Sequence, residues 1–285
     1  MAIRDLGYRA YEGERLPASN NSKVLLRHGL RRAWGSWLVK IAAFTGWIPP
    51  IVACAIVGIM FWITQQAPPG AEVPEMPAAE AVRDLFSWQI WLFVTMVTIG
   101  AGAAAIAEDL QFRAFQFYFS KPVTPPQYLL GRIGAVAFWV FMMTFPGALL
   151  LVLVLVGTAP EELRLERTGL LLPTIFYSAI IAVVTACGSV GLSSLSKSRA
   201  LTMSAWIILF LVPHALGAIV NAVSGWPYIL LLSLPELLNI VGDALFKIEP
   251  ETTLRWYHAA PVLALVAAGG TALALTRIRN AEVIT

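Results

Sequence analysis

Polar and apolar positions segregate into blocks along this chain instead of alternating. Six windows, 41–64, 85–107, 133–158, 169–195, 200–224 and 256–276, contain no Asp, Glu, Lys or Arg, and each is 21 to 27 residues long. An α-helix rises about 1.5 Å per residue, so about 20 apolar residues cross a hydrocarbon core about 30 Å thick. The pattern predicts an all-α polytopic membrane protein with six transmembrane helices. They form one transmembrane domain over 39–276, between an N-terminal segment, 1–38, and a tail, 277–285. A membrane β-barrel is excluded, because its strands alternate over about ten residues whereas Gly147 to Val156 is continuously apolar. The first twenty residues are polar and mixed in charge, unlike a cleaved signal peptide, so the first span is expected to be retained.

The segments between the windows carry their own patterns. Residues 21–38 predict an amphipathic interfacial helix: Lys23, Arg27 and Arg31 recur every four residues, while Leu26, Leu30, Trp34 and Trp37 follow a separate apolar stripe. A basic juxtamembrane stretch that only enforces topology predicts the same charges. Pro49 and Pro50 predict a kink or break inside the first span. Residues 65–83 hold four prolines and are expected to be irregular at first, turning helical around 78–85. Ser178, Ala182 and Ala186, at four-residue steps, permit close helix packing in the fourth span. Residues 226–246 are apolar yet contain Pro227, Pro235, Glu236 and Asp243. They predict two short helices dipping into the outer leaflet as a re-entrant segment, not a seventh crossing.

Composition sharpens this picture through its few charges. Apolar residues make up 58% and charged residues 13%, against about 25% charged in soluble domains. Fifteen of the 20 Lys and Arg fall on the side that holds both termini, and eleven of the 17 Asp and Glu fall on the other. The positive-inside rule therefore places both termini in the cytoplasm. The net charge of +3 is a topology signal and implies no nucleic-acid partner. Trp34 and Trp37 mark the inner boundary, and Trp62, Trp88, Trp91, Trp226 and Trp256 the outer one.

Catalytic and ion-coupling signals are sparse. None of the six windows holds a carboxylate, Lys or Arg, groups that ion-coupled carriers use to hold the coupling ion at the midplane. Backbone carbonyls and hydroxyls can still bind sodium, so a secondary carrier stays open. His214 is the one titratable side chain well inside a span, and a packed, hydrogen-bonded role is expected for it. With Trp91 and Asn221 it forms the candidate lining of a substrate path. No Gly-x-Ser-x-Gly elbow or His-Glu-x-x-His helix occurs. Phe210 with His214, and Glu161 with Glu162, match intramembrane proteases only in part, since the following arginine, Arg167, comes one residue late. A membrane-embedded protease or acyltransferase is thus a third reading, and a structural or sensory subunit a further one. Gly191 to Ser198 imitates a phosphate loop but has Ser196 where the second glycine belongs. Cys54 and Cys187 lie inside spans and offer no disulfide framework or metal-ligand spacing. The chain is read as a non-catalytic membrane subunit, binding no cofactor itself.

The loop at 108–132, EDLQFRAFQFYFSKPVTPPQYLLGR, carries the most information. An acidic pair, Glu108 and Asp109, precedes Phe112, Phe115, Phe117, Tyr118 and Phe119, and the run stops at Ser120, Lys121 and Pro122. The aromatics can sit in the membrane interface as a helix cap. Alternatively they form a short helix whose exposed face docks in a groove on a soluble partner, with Asp109, Arg113 and Lys121 setting register.

At this loop the sequence resembles the permease subunits of ATP-binding-cassette transporters of the second exporter class. The residues that carry the resemblance are Ala101 to Ala107, Glu108 to Arg113, Phe115 to Phe119, Ser120-Lys121-Pro122-Val123 and Tyr128-Leu129-Leu130-Gly131-Arg132. Six spans, a surface helix before the first, cytoplasmic termini and a re-entrant outer segment before the last extend it along the chain. Many such permeases have Gly-Thr where this chain has Arg113-Ala114. The resemblance implies a multi-pass protein of the bacterial cytoplasmic (inner) membrane and a dimer with a second permease copy or paralogue. It further implies two ATPase subunits that bind ATP and Mg, contact with membrane lipid, and accessory or periplasmic proteins. Glu108, Asp109, Arg113, Phe115, Phe117, Ser120, Lys121 and Pro122 would then form the ATPase-coupling loop.

Overall fold

Six helical stretches are long and apolar enough to cross a membrane: Trp37–Gln66, Ala78–Gln111, Pro125–Gly157, Glu161–Ser193, Arg199–Ser224 and Trp256–Asn280. The structure, a computed structural model, describes residues 20–68, 77–119, 123–250 and 252–283, and no strand occurs among the described residues. The chain is a multi-pass, all-α membrane protein. These stretches are called spans one to six below.

Before span one lies α1 (Asn21–Gly35), which ends where Ser36 turns extended, at φ −72° and ψ 130°. Lys23, Arg27 and Arg31 are exposed along it, while Gly29 and Ala33 are buried. The buried face is the one made of small residues. A Cβ on Gly29 would come within 2.8 Å of the Ala135 Cβ, so α1 lies almost backbone to backbone against the third span. Trp34 stacks on Trp139 at 5.0 Å between centroids and 17° between planes, which contributes about 0.5–1.5 kcal/mol beyond area burial.

Span one divides into α2 (Trp37–Thr45) and α3 (Ile48–Gln66). The break at Gly46 and Trp47 precedes Pro49 and Pro50, which sit in the first turn of α3, where a missing N–H costs nothing. Span two comprises α4 (Ala78–Gln89), a π-helical turn at Ile90–Val94, the short α5 (Thr95–Val97), a second π-helical turn at Thr98–Gly102, and α6 (Ala107–Gln111). A single turn of helix, α7 (Phe115–Phe119), follows it. Span three is α8 (Pro125–Gly157), which starts eight residues ahead of its uncharged window. A capping box between Thr124 and Gln127, with proline in the first turn, supplies that early start.

Span four joins α9 (Glu161–Thr168) to α10 (Leu171–Ser193), and span five is α11 (Arg199–Ser224). Residues 226–246 form a 3-10 turn, Pro227–Leu232, and α12 (Leu234–Leu245): two short helices, as the proline spacing predicts. Span six lies in α13 (Trp256–Val283).

Spans two and four are the inside of the bundle. The most apolar stretch of span two is 72% buried, against 17% for spans one, five and six. Ser178, Ala182 and Ala186 are all buried on α10. A close backbone approach lies further along, where a Cβ on Gly191 would meet the Gly270 Cα of α13 at 2.4 Å.

Candidate functional site

Charged groups gather at the two ends of span two. At the end that carries Arg32, Arg132 and Arg199, here the basic end, span two stops being a regular helix. Its second π-helical turn gives way to a turn over 103–106, and the N–H groups of Ile106 and Ala107, at the start of α6, turn to another helix for an acceptor. Ser193, at the end of α10, supplies the acceptor: its Oγ receives the N–H of Ile106 at 2.9 Å and of Ala107 at 3.0 Å. Such cross-helix capping fixes the direction in which α6 leaves the bundle.

That direction brings Asp109 inside. It is 5% exposed and accepts from Arg32 Nη1 at 2.8 Å, from the Tyr128 hydroxyl and from Arg132 Nη2. Glu108 accepts from Arg32 Nη2 and, at 2.8 Å, from Arg199 Nη1. Arg132, also 5% exposed, donates to the Tyr118 hydroxyl at 3.2 Å and stands over the Tyr128 ring at 5.1 Å. Five charged side chains from α1, α6, α8 and α11 thus form one network. A buried charge is tolerable only when paired and hydrogen-bonded in this way.

The aromatic run divides on the same basis. Phe115 is 4% exposed and meets Tyr128 edge to face, whereas Phe112 and Phe117 are 72% and 76% exposed. Arg113 is exposed and adopts φ 52°, a left-handed conformation that costs a residue with a Cβ about 1–2 kcal/mol. Ser120, Lys121 and Pro122 lie outside the described residues. The sequence reading treats Asp109 as a surface group setting register with a partner. The structure places it within the chain's own fold, because three donors from two helices converge on it.

Arg32, Arg199 and Ser193 are network members that the sequence reading leaves out of the candidate site, and Tyr128 and Arg132 enter that reading only through the motif that carries the resemblance. A signal existed for some of them. Arg32 sits about 100° round the helix from Arg31, beside Gly29 and Ala33 and off the exposed basic stripe. Tyr128 and Arg132 are four residues apart, on one helix face. Ser193 belongs to the serine-rich run that imitates a phosphate loop, and its role in capping α6 depends on a contact 86 residues distant in sequence.

At the opposite, acidic end, Arg83 donates to Asp243 through Nε at 2.5 Å and Nη2 at 3.3 Å. Ser87 donates to Asn239 at 2.9 Å, and Tyr177 to the Leu238 carbonyl at 3.0 Å. These bonds tie α12 to spans two and four. Between the two ends, Trp91 packs on His214 at 4.3 Å between centroids, and His214 Nδ1 is 3.2 Å from the Ser233 Oγ. The structure therefore joins two of the three candidate path residues. Asn221 stands seven positions beyond His214 on α11, partly buried, its carbonyl accepting the Gly225 N–H at 2.9 Å. Among the described residues no group of three or more His, Cys, Asp or Glu is placed to hold a metal ion.

Comparison of the chain with protein-family models, and with curated proteins, finds no match.

Proposed function

We propose that the chain is the permease subunit of an ATP-driven exporter of the second ATP-binding-cassette class, coupled through α6 and α7 to a separate ATPase subunit. The observation that carries the reading is Phe112 and Phe117 standing exposed on a loop whose base is fastened by the Asp109 network. Two exposed phenylalanines just past a span end are expensive to leave wet and suit a hydrophobic groove on a soluble partner. The fastened base supplies what a coupling element needs. Force on the loop reaches α1, span three and span five through bonds, where a free loop would bend and dissipate it.

In this reading the basic end faces the cytoplasm, the chain lies in a bacterial inner membrane, and a second permease completes the pathway. ATP and Mg reside in the ATPase. Closure of that ATPase shifts the permease only by its differential affinity for the two loop positions. Trp91 and His214 are candidate contacts for the cargo.

The test is a pair of variants, Phe117→Asp and Arg113→Glu, in the full chain co-expressed with the ATPase from the neighbouring reading frame. A hot-spot aromatic contributes about 2 kcal/mol, so Phe117→Asp should weaken association about thirty-fold and remove permease-stimulated hydrolysis. Arg113→Glu should lower stimulation with the protein still inserted. Undiminished coupling in both variants removes the loop from the mechanism, and ion-gradient-driven flux by the chain alone replaces the reading with a secondary carrier.

A further inference from the structure

At the basic end, a cavity of about 340 Å³ opens between α1, the start of α2 and the second π-helical turn of span two. That size is at the small end of ligand-binding pockets, which run about 300–1,000 Å³. Its walls include Arg32, Arg132 and Arg199, and its floor is made of glycines and alanines. Among the described residues these three guanidiniums pair with two carboxylates, Glu108 and Asp109, which leaves the cluster one positive charge in excess. Each oxygen of Glu108 is already taken by an arginine, so the carboxylate presents little repulsion to an incoming anion.

Two further features point to an anion. Ser36, which lines the cavity, has a buried Oγ with no hydrogen-bond partner among the described residues. It is also the N-cap of the nine-residue α2, whose first residue, Trp37, lines the same cavity, and it makes no side-chain capping bond, so the first N–H groups of that helix are left without this cap. A helix N-terminus carries about half a positive charge. Guanidinium forks, a hydroxyl and unspent backbone N–H groups are together the donor set of a phosphate site.

The source of that phosphate follows from what adjoins the cavity. Trp37 lines it and is 66% exposed, an indole at the level where tryptophan marks the headgroup region. Ile41, Phe44 and Ile48, at the helical spacing from Trp37, continue as an exposed apolar face down span one. We propose that the cavity binds the phosphate headgroup of an anionic phospholipid from the leaflet at the basic end, whose acyl chains lie along that face. A headgroup phosphate bound there competes with Glu108 for Arg199. Lipid occupancy therefore bears on the bond that ties span five to the coupling loop. The proposal needs the chain only to be embedded in a bilayer, and stands or falls separately from the ATPase reading.

The test uses the full chain in nanodiscs of phosphatidylcholine, with and without phosphatidylglycerol, reading the thermal midpoint and the lipid retained in native mass spectrometry. Phosphatidylglycerol should raise the midpoint of the unaltered protein and be retained. Arg199→Gln removes a charge-assisted contact and should lower phosphatidylglycerol affinity about ten-fold. Gly35 also lines the cavity, and a side chain added there meets nothing within 4 Å. Gly35→Leu should therefore block the site with every charge in place. Arg27→Gln, on the exposed stripe of the same helix, should retain the lipid. Wild-type retention by Gly35→Leu, or equal loss in Arg27→Gln, overturns the site in favour of diffuse attraction to a basic surface. If inorganic phosphate at millimolar concentration reproduces the midpoint shift in phosphatidylcholine discs, the occupant is a soluble anion and the lipid assignment fails.

Discussion

Span two ends in a buried ion pair on both sides, yet the two ends are built for different work. At the acidic end Asp243 meets Arg83, and Arg83 is also bonded to Asp84 at 3.0 Å, with 25% of its side chain exposed. Around this pair Phe86, Tyr177 and Phe246 pack on one another at 4.8 to 6.1 Å between centroids. It is a clamp set in an aromatic core, joining α12 to the bundle. At the basic end the charges are shared among four elements, and the packing around them is loosened by the cavity. Removing one partner there affects several helices at once. A clamp resists motion, whereas a shared network in a loosely packed region can exchange partners, which is what the proposed coupling of the loop to the bundle requires.

Deleting each central carboxylate sharpens this contrast, and has the largest effect expected. Asp109→Ala leaves Arg132 with tyrosine hydroxyls and no carboxylate, and removes one bond from Arg32. Breaking a buried pair in this way costs about 3–5 kcal/mol. Asp243→Ala leaves Arg83 its bond to Asp84 and partial access to water, so the loss should be about 1–3 kcal/mol. Chemical denaturation in one detergent measures both. Equal losses would show that the two pairs do the same job and that the sharing of charges at the basic end has no consequence.

How much of this the sequence displays depends on the range of each interaction. The spans are legible because burial in hydrocarbon is a property of every residue in a window, so 41–64 or 200–224 identifies itself without knowledge of its neighbours. The proline-interrupted stretch at 226–246 is legible for a local reason as well: Pro227 and Pro235 each open a short helix. The site is less so. Phe112 and Phe117 are found by composition, but Phe115 on the same run is buried, and nothing local separates them. Asp109 looks like a surface charge until Arg32, 77 residues earlier, and Arg132, 23 residues later, are folded onto it. The π-helical turns of span two escape sequence reading too, since their extra residues are accommodated by contacts such as the Trp206 Nε1 donation to Thr98 Oγ1 at 2.9 Å.

Each end of span two also has a residue with a Cβ held in the left-handed region: Arg113 at φ 52° and, after α12, Lys247 at φ 57°. Glycine is the residue for which that conformation is free. Glycine removes a cost of about 1–2 kcal/mol, while its looser unfolded chain takes back about 0.5–1. Arg113→Gly and Lys247→Gly should each stabilise the protein by about 0.5–1 kcal/mol. On the proposed coupling to an ATPase they should part company: Arg113→Gly weakens stimulation through the lost charge, and Lys247→Gly leaves it intact. Loss of stimulation in both would mean that rigidity at the two ends, and not the arginine, is what coupling requires.

The smallest expected effect is a pH dependence confined to the basic end. His28 lies on α1, with its pKa held below the ordinary 6.5, first by burial and then by repulsion from Arg132 and Arg32, against a weaker opposing pull from Asp109. Folded protein thus binds fewer protons at this site than unfolded protein. Its contribution is complete above pH 6.5 and is lost as pH falls through the folded pKa. The ring is well exposed, so screening keeps the effect small, on the order of 1 °C in the thermal midpoint. His28→Gln should match the unaltered protein at pH 7.5 and gain on it as the pH falls to 5.5. Protonation at this position adds to the positive charge already in excess around the cavity, so an anionic lipid bound there should offset the acid loss. If phosphatidylglycerol leaves the difference between the two proteins unchanged at pH 5.5, the field of the arginine cluster does not reach His28, and the junction is confined to Glu108, Asp109 and their direct partners.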